Sequence, residues 1–218
     1  MSSTAPSAAD IVRRLAAVRQ TVPSLRAVRR EISRELKSFD ARTVIALGIE
    51  LVPLVPRFIT CELVAEHPAA FAALDRTTIE QLGAGIASWY DTDAFGISLA
   101  GPAWRVGLLP DAAVTEWARS PDLWWRRSAL VATVPLNVAA TRTGDPARTL
   151  AICRLLLDDR EDMVVKAMSW ALRALGVRDP KAAERFMLEN EARLAPRAKR
   201  ELRHKLSTGV KTPGRLKP

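Results

Sequence analysis

VKAMSWALRA, residues 165–174, begins with a basic residue at its second position, Lys166, and then runs largely apolar. WRRSALVATV, residues 125–134, and PRFITCELVA, residues 56–65, share that plan, with Arg126 and Arg57 in the second position. The first two stretches are offset by 40 residues, the length of a two-helix HEAT-type unit; the last two are 69 apart, so the period is not strict. Stacked helix pairs of this kind form a curved solenoid whose second helices line its concave face, while a bundle of the same helices also satisfies the pattern.

Working outward, the same periodicity recurs along the chain. Ile11, Leu15 and Val18 follow Asp10 as N-cap, and Leu25, Val28, Ile32 and Leu36 follow Ser24. Further helices are expected over 43–51, 57–66, 78–89, 111–119, 123–135, 147–157, 161–175, 181–189 and 197–206. Short connectors carry Pro53, Pro56, Pro68, Pro110, Pro121, Pro146, Pro180 and Pro196, and no alternating run is bounded by Asn-Gly or Asp-Gly. The reading is all-α: a flexible start over 1–9, one helical-repeat domain over 10–206, and a flexible basic tail over 207–218.

With 218 residues, 48% hydrophobic and 26% charged, the chain is neither disordered nor fibrous and can bury a core without disulfides or metals. Its two cysteines, Cys61 and Cys153, form no C-x-x-C pair. No apolar run reaches the roughly 18 residues of a membrane span, and the start MSSTAPSAAD lacks the order of a signal peptide. A soluble cytoplasmic protein is expected, with no membrane partner. Of the net charge of +9, nine basic residues against Glu201 alone lie from Arg193 onward, which leaves about +1 for everything before. Such an end is either a polyanion-binding element or a solvated tail.

Three places could carry chemistry. In SWYDTDAF, from Ser88, Trp89 and Asp93 share a face if the segment is helical. In LWWRRSAL, from Leu123, Trp124 and Trp125 precede Arg126 and Arg127; in VKAMSWALR, Lys166, Trp170 and Arg173 form one stripe. Each has a plain structural reading: tryptophans bury as core, arginines near a helix start pair with carboxylates, and an aspartate caps. Nucleotide-binding and nucleophile-elbow motifs are absent, and neither His67 nor His204 stands in a metal-ligand spacing, so no metal and no cofactor is expected.

At these segments the chain resembles the bacterial AlkD-like DNA alkylation repair glycosylases. Trp89 and Asp93 match that family's Trp-x-x-x-Asp motif, and Trp124 and Arg127 match a Trp followed three residues later by Arg. Lys166, Ala167, Trp170, Leu172 and Arg173 match its Lys-Ala-x-x-Trp-x-Leu-Arg motif, and LAPRAKRE from Leu194 is similar to its basic C-terminal segment. The resemblance spans roughly residues 20 to 206; Tyr90 stands where a second Trp is common, and the N-terminal third matches only through PSLRAVRREI from Pro23.

What the resemblance implies is a right-handed solenoid of antiparallel HEAT-like repeats with a concave DNA-binding face. Asp93 becomes the catalytic carboxylate and Trp89, Tyr90 and Trp170 the aromatic walls around a deoxyribose. Arg127, Arg126, Lys166, Arg173, Lys199 and Arg200 become contacts to the DNA backbone. The implied activity is that of a monofunctional glycosylase releasing 3-methyladenine and 7-methylguanine from duplex DNA, acting as a monomer at the nucleoid. Two other readings stay open on the residues alone: a HEAT-repeat protein that binds damaged or branched DNA without cutting it, and a protein-interaction solenoid.

Overall fold

The computed structural model describes residues 5–138 and 144–210. Among the described residues all regular structure is helical, and the contacts group the chain into two compact units, Met1–Leu109 and Pro110–Pro218. The first unit contains α1 (Ala8–Ala16), α2 (Val22–Leu36), α3 (Ala41–Leu51), α4 (Arg57–Ala65), α5 (Pro68–Ala72), α6 (Arg76–Leu82), α7 (Trp89–Phe95) and α8 (Gly101–Arg105). The second contains α9 (Asp111–Ala118), α10 (Leu123–Ala132), α11 (Pro146–Leu155), α12 (Asp162–Arg178), α13 (Pro180–Glu189) and α14 (Pro196–Thr208).

Non-consecutive helices pack on one another in chain order: α2 on α4 and α4 on α7 in the first unit, α10 on α12 and α12 on α14 in the second. This neighbour order is compatible with stacked helix pairs. The cores follow the periodicity: Ile11, Ile32, Leu51, Ile59 and Phe95 are buried in the first unit, and Leu130, Leu172, Phe186 and Leu202 in the second. Each such side chain contributes about 1.5–3 kcal/mol through its removal from water. Gly48 of α3 lets α4 approach closely, since a Cβ there would stand 2.6 Å from Val64 Cγ2.

Several boundaries differ from the sequence reading, each for a local reason. Ser7 caps α1 by accepting from the Asp10 amide, and Thr21 caps α2 by accepting from Ser24, so both caps lie three residues before the expected Asp10 and Ser24. The helix therefore begins inside the stretch read as a flexible start. At the other end α14 continues to Thr208, taking in Ser207; residues 211–218, like 1–4, lie outside the described residues.

The helix expected over 78–89 does not exist as one element. An Asp75/Thr78 capping box starts α6 early, and the chain leaves it at Gly83 to turn through Gly85, whose φ of +69° favours glycine. Ser88 then caps α7, so Trp89 opens a new helix instead of closing the old one. α7 continues through a π-helical stretch, Gly96–Ala100, into α8. Pro102 explains the wide turn: proline supplies no amide and clashes with the carbonyl four residues back, and the π segment lies immediately upstream.

The tryptophans divide by position. Trp104 and Trp117 are core residues, whereas Trp89 is 52% exposed and Trp170 half-buried. Cys61 and Cys153 are free thiols, fully buried, and burial pushes each up to about 12.

Candidate nucleic-acid interface

In the first unit the start of α7 is fixed by its own side chains. Ser88 Oγ accepts from the Asp91 amide at 3.1 Å and donates to Asp91 Oδ2 at 2.7 Å, while Thr92 Oγ1 donates to the Ser88 carbonyl at 2.6 Å. Asp91 is thus held by the cap, and Arg57 and Asp91 line the same open cavity. Asp93, two residues on, projects from a different side of the helix and shares its face with Trp89. Asp91 serves the helix cap, and Asp93 lies on the side of the exposed tryptophan.

Trp89 does not stand alone. Its ring meets Tyr90 edge to face, centroids 5.9 Å apart, and Tyr90 meets Phe58 of α4 in the same way at 6.1 Å. The Arg26 guanidinium of α2 lies 5.3 Å from the Phe58 ring centre, within cation–π range, and is paired with Glu62 at 2.6 Å. A second arginine, Arg29, is buried and lies 3.2 Å from Glu62 while also pairing with Glu66. Burial raises the Tyr90 hydroxyl above its ordinary value, against the lowering influence of Arg26, so it is a proton donor at neutral pH. Arg26, Phe58 and Glu62 were not singled out by sequence. They stand on α2 and α4, and only the packing of α4 between α2 and α7 brings them to Tyr90.

α7 is positioned from below by Arg57. This side chain is buried at the start of α4 and donates from Nη1 to the Leu82 carbonyl and from Nη2 to the Ala84 carbonyl, both at 2.6 Å. The Leu82 carbonyl closes α6, where the helix has no partner of its own for it, and the Ala84 carbonyl lies in the turn that follows. One guanidinium therefore ties the start of α4 to the turn that leads into Ser88.

In the second unit the cations read as DNA contacts all have work within the protein, Arg200 excepted. Arg127 is 5% exposed and donates from Nη1 to the Met163 carbonyl at 2.6 Å. Arg126 pairs with Asp159 at 2.8 Å and donates to the Ser120 and Pro121 carbonyls. Lys166 pairs with Asp162 at 2.6 Å, one turn away on α12. Arg173 donates from Nε to Ser169 Oγ at 3.2 Å and lies 3.6 Å from Glu201; burial lowers it from its ordinary value, with Glu201 opposing. Lys199 donates to the Glu191 carbonyl at 2.7 Å. Arg200 is exposed and, among the described residues, makes no hydrogen bond or ion pair; with Lys199, Arg203 and His204 it lines an open pocket on α14. A phosphate reaching the engaged cations competes with groups they already hold.

Glu201 is the acidic centre of this arrangement, buried on α14. It accepts from Ser169 at 2.7 Å and from Arg197 at 3.0 Å. Burial alone would raise its carboxyl, but the Ser169 and Arg197 hydrogen bonds with the Arg173 charge outweigh it, and the net shift is downward from 4.5. A depressed carboxyl contributes stability above its unfolded value and loses it as pH falls through the native one. Glu201→Gln is therefore expected to be less stable than wild type at pH 7, with the difference shrinking once the pH drops below 4.5. Urea midpoints across pH measure this, and a gap that stays constant with pH would contradict it.

Among the described residues no three His, Cys, Asp or Glu side chains group as a metal site, and no helix is long and apolar enough to cross a membrane.

The chain matches none of the curated proteins and none of the solved structures at a significant level. A family model described as DNA alkylation repair enzyme, however, matches residues 15–206, from the last turns of α1 to the last turn of α14. That range takes in Trp89, Asp93, Arg127 and Trp170 together, and the chain belongs to the DNA alkylation repair enzyme family.

Proposed function

We propose that this repair protein is a monofunctional DNA glycosylase that hydrolyses the N-glycosidic bond of cationic alkylpurines, 3-methyladenine and 7-methylguanine, in duplex DNA. The observation that carries the reading is the exposed Trp89 on the same helical face as Asp93, set on the Tyr90–Phe58 ring pair. Core tryptophans do not sit half in solvent; an aromatic face offered to a ligand does.

The chemistry suits these groups. A purine alkylated at N3 or N7 is already cationic, so as the bond to C1′ breaks its electrons neutralise the base, and little help is needed from a general acid. Positive charge grows on the sugar instead, in an oxocarbenium-like state of the kind met in glycoside hydrolysis. Asp93 stabilises that charge and takes the proton of the water that adds to C1′. The Trp89 face, with its negative π-density, attracts the sugar more as the charge develops, which lowers a barrier instead of merely tightening binding.

Alternative routes to removing an alkyl group fit the protein less well. Transfer to a cysteine requires an accessible thiolate, and both thiols are fully buried and pushed up to about 12. In the second unit, Trp170 is assigned to the duplex as an aromatic surface, and Arg127, Arg126, Lys166, Arg173, Lys199 and Arg200 to its phosphates. The HEAT-like solenoid, the monomeric state and the location at the nucleoid belong to the same proposal.

The test is incubation of the full chain with methylated duplex DNA and chromatography of the released bases. Release of 7-methylguanine or 3-methyladenine, leaving an unbroken abasic strand, is expected. Tight binding of the methylated duplex with no base released would replace this reading with a non-catalytic recognition protein.

A further inference from the structure

The first unit holds a second cationic place, about two helical turns from the ring cluster, roughly 12 Å along α2 from Arg26 to Arg34. There the ends of α2 and α4 flank an open cavity of about 520 Å³, lined by Arg30, Ser33, Arg34, Lys37, Glu66 and His67 among others. The four residues from α2 and its cap stand at i, i+3, i+4 and i+7, a single stripe aimed at one place.

The lining is unusual in having nearly every polar group available as a donor. Among the described residues no carboxylate lies within ion-pair distance of Arg30, Arg34 or Lys37; the one acidic lining residue, Glu66, is taken by Arg29. Arg34 gives Nε to the Arg30 carbonyl at 3.3 Å, which orients the guanidinium and leaves its Nη groups. Ser33 Oγ accepts from Arg29 Nη1 at 3.2 Å, so its own proton remains to be given. His67 is 7% exposed and caps α5 by accepting at Nδ1 from the Ala70 amide at 3.0 Å. That bond puts the ring proton on Nε2, which is buried and has no hydrogen-bond partner among the described residues.

Three exposed cations that no carboxylate neutralises, set on one helical stripe beside a cavity that His67 also lines, favour an anionic ligand there. It must be an anion with several acceptor oxygens, because the donors come from two helices and from both guanidinium and ammonium groups. A cavity of this volume has room for more than the anion itself. We propose that it is a phosphate-binding site, distinct from the Trp89 end of the unit and independent of the chemistry assigned to Asp93. The phosphate is either a backbone diester of the bound duplex or a free phosphate compound.

The full chain and an Arg34→Gln/Lys37→Gln variant distinguish these. Both residues are exposed, so the variant keeps its fold, checked by an unchanged melting midpoint. Inorganic phosphate is titrated while the His67 imidazole is followed by nitrogen NMR, with His204→Gln used to assign the ring. An undamaged duplex is then bound across a salt series. A saturable His67 response, weakened at least about tenfold in the variant, is expected. A duplex salt slope shallower by about two contacts, each near 0.9, identifies the backbone as the source; an unchanged slope beside a phosphate response identifies free phosphate. No response to phosphate together with an unchanged slope overturns the proposal, as does a response that the variant leaves intact. Base release is not the readout at any point, so this result and that of the glycosylase assay are separable.

Discussion

Asp93→Asn is expected to slow single-turnover release of 7-methylguanine from methylated duplex DNA by about 10²- to 10³-fold, the scale on which a single positioned electrostatic group acts. The substitution keeps size and helical preference and removes one charge, so α7 retains its Ser88 cap and Trp89 its place on the Tyr90 ring. Because the carboxylate acts on charge that exists only as the bond breaks, the loss falls on the rate and not on duplex affinity. Asp91→Asn is the matched control: Asp91 is engaged with the Ser88 hydroxyl. If Asp93→Asn releases base at the wild-type rate, Asp93 is not the catalytic carboxylate.

The second large effect concerns stability. Arg57→Leu is expected to destabilise the first unit by about 3 kcal/mol or more, since two charge-assisted hydrogen bonds are lost and the Leu82 and Ala84 carbonyls are left without them. For a chain of this length that corresponds to a fall of about 6–12 °C in the melting midpoint. Arg57→Lys should not restore it, because one ammonium cannot reproduce the flat fork that reaches two carbonyls at once. Activity should suffer as well, because Ser88 and Trp89 follow directly on that turn. A midpoint within a degree or two of wild type would show that the fork is dispensable.

The helices were legible in the sequence because their cores have period. Thr43 to Leu51 and Asp111 to Arg119 lie close to the observed elements, and proline marks most joints. What escaped was local competition. Ser7 and Thr21 cap better placed than Asp10 and Ser24 do, and no periodicity rule ranks caps against each other. Gly83 and Gly85 divide an apolar run that reads as continuous, and Pro102 acts on the turn before it through a carbonyl it cannot bond.

The candidate site was legible in part, for a different reason. Trp89 and Asp93 needed only one helix to meet, so spacing sufficed once the segment was helical. Arg26, Phe58 and Tyr90 come from three helices, and only their packing reveals the cluster. Arg126 and Lys166 show the reverse: a positive charge is plain in a sequence, but the Asp159 or Asp162 that holds it is not. The repeated basic residue that suggested a stacked architecture is, at Arg57 and Arg126, a tie to neighbouring backbone.

The two sealed cysteines have a meaning for the protein's own survival. The methylating electrophiles that damage DNA react with proteins first at thiolates, and a thiol held near 12 is ionised to only about one part in 10⁵ at pH 7. With Cys61 and Cys153 also out of contact with solvent, the chain offers such reagents no sulfur nucleophile of that kind among its described residues. Inactivation through thiol methylation is therefore not expected for either cysteine while the protein stays folded.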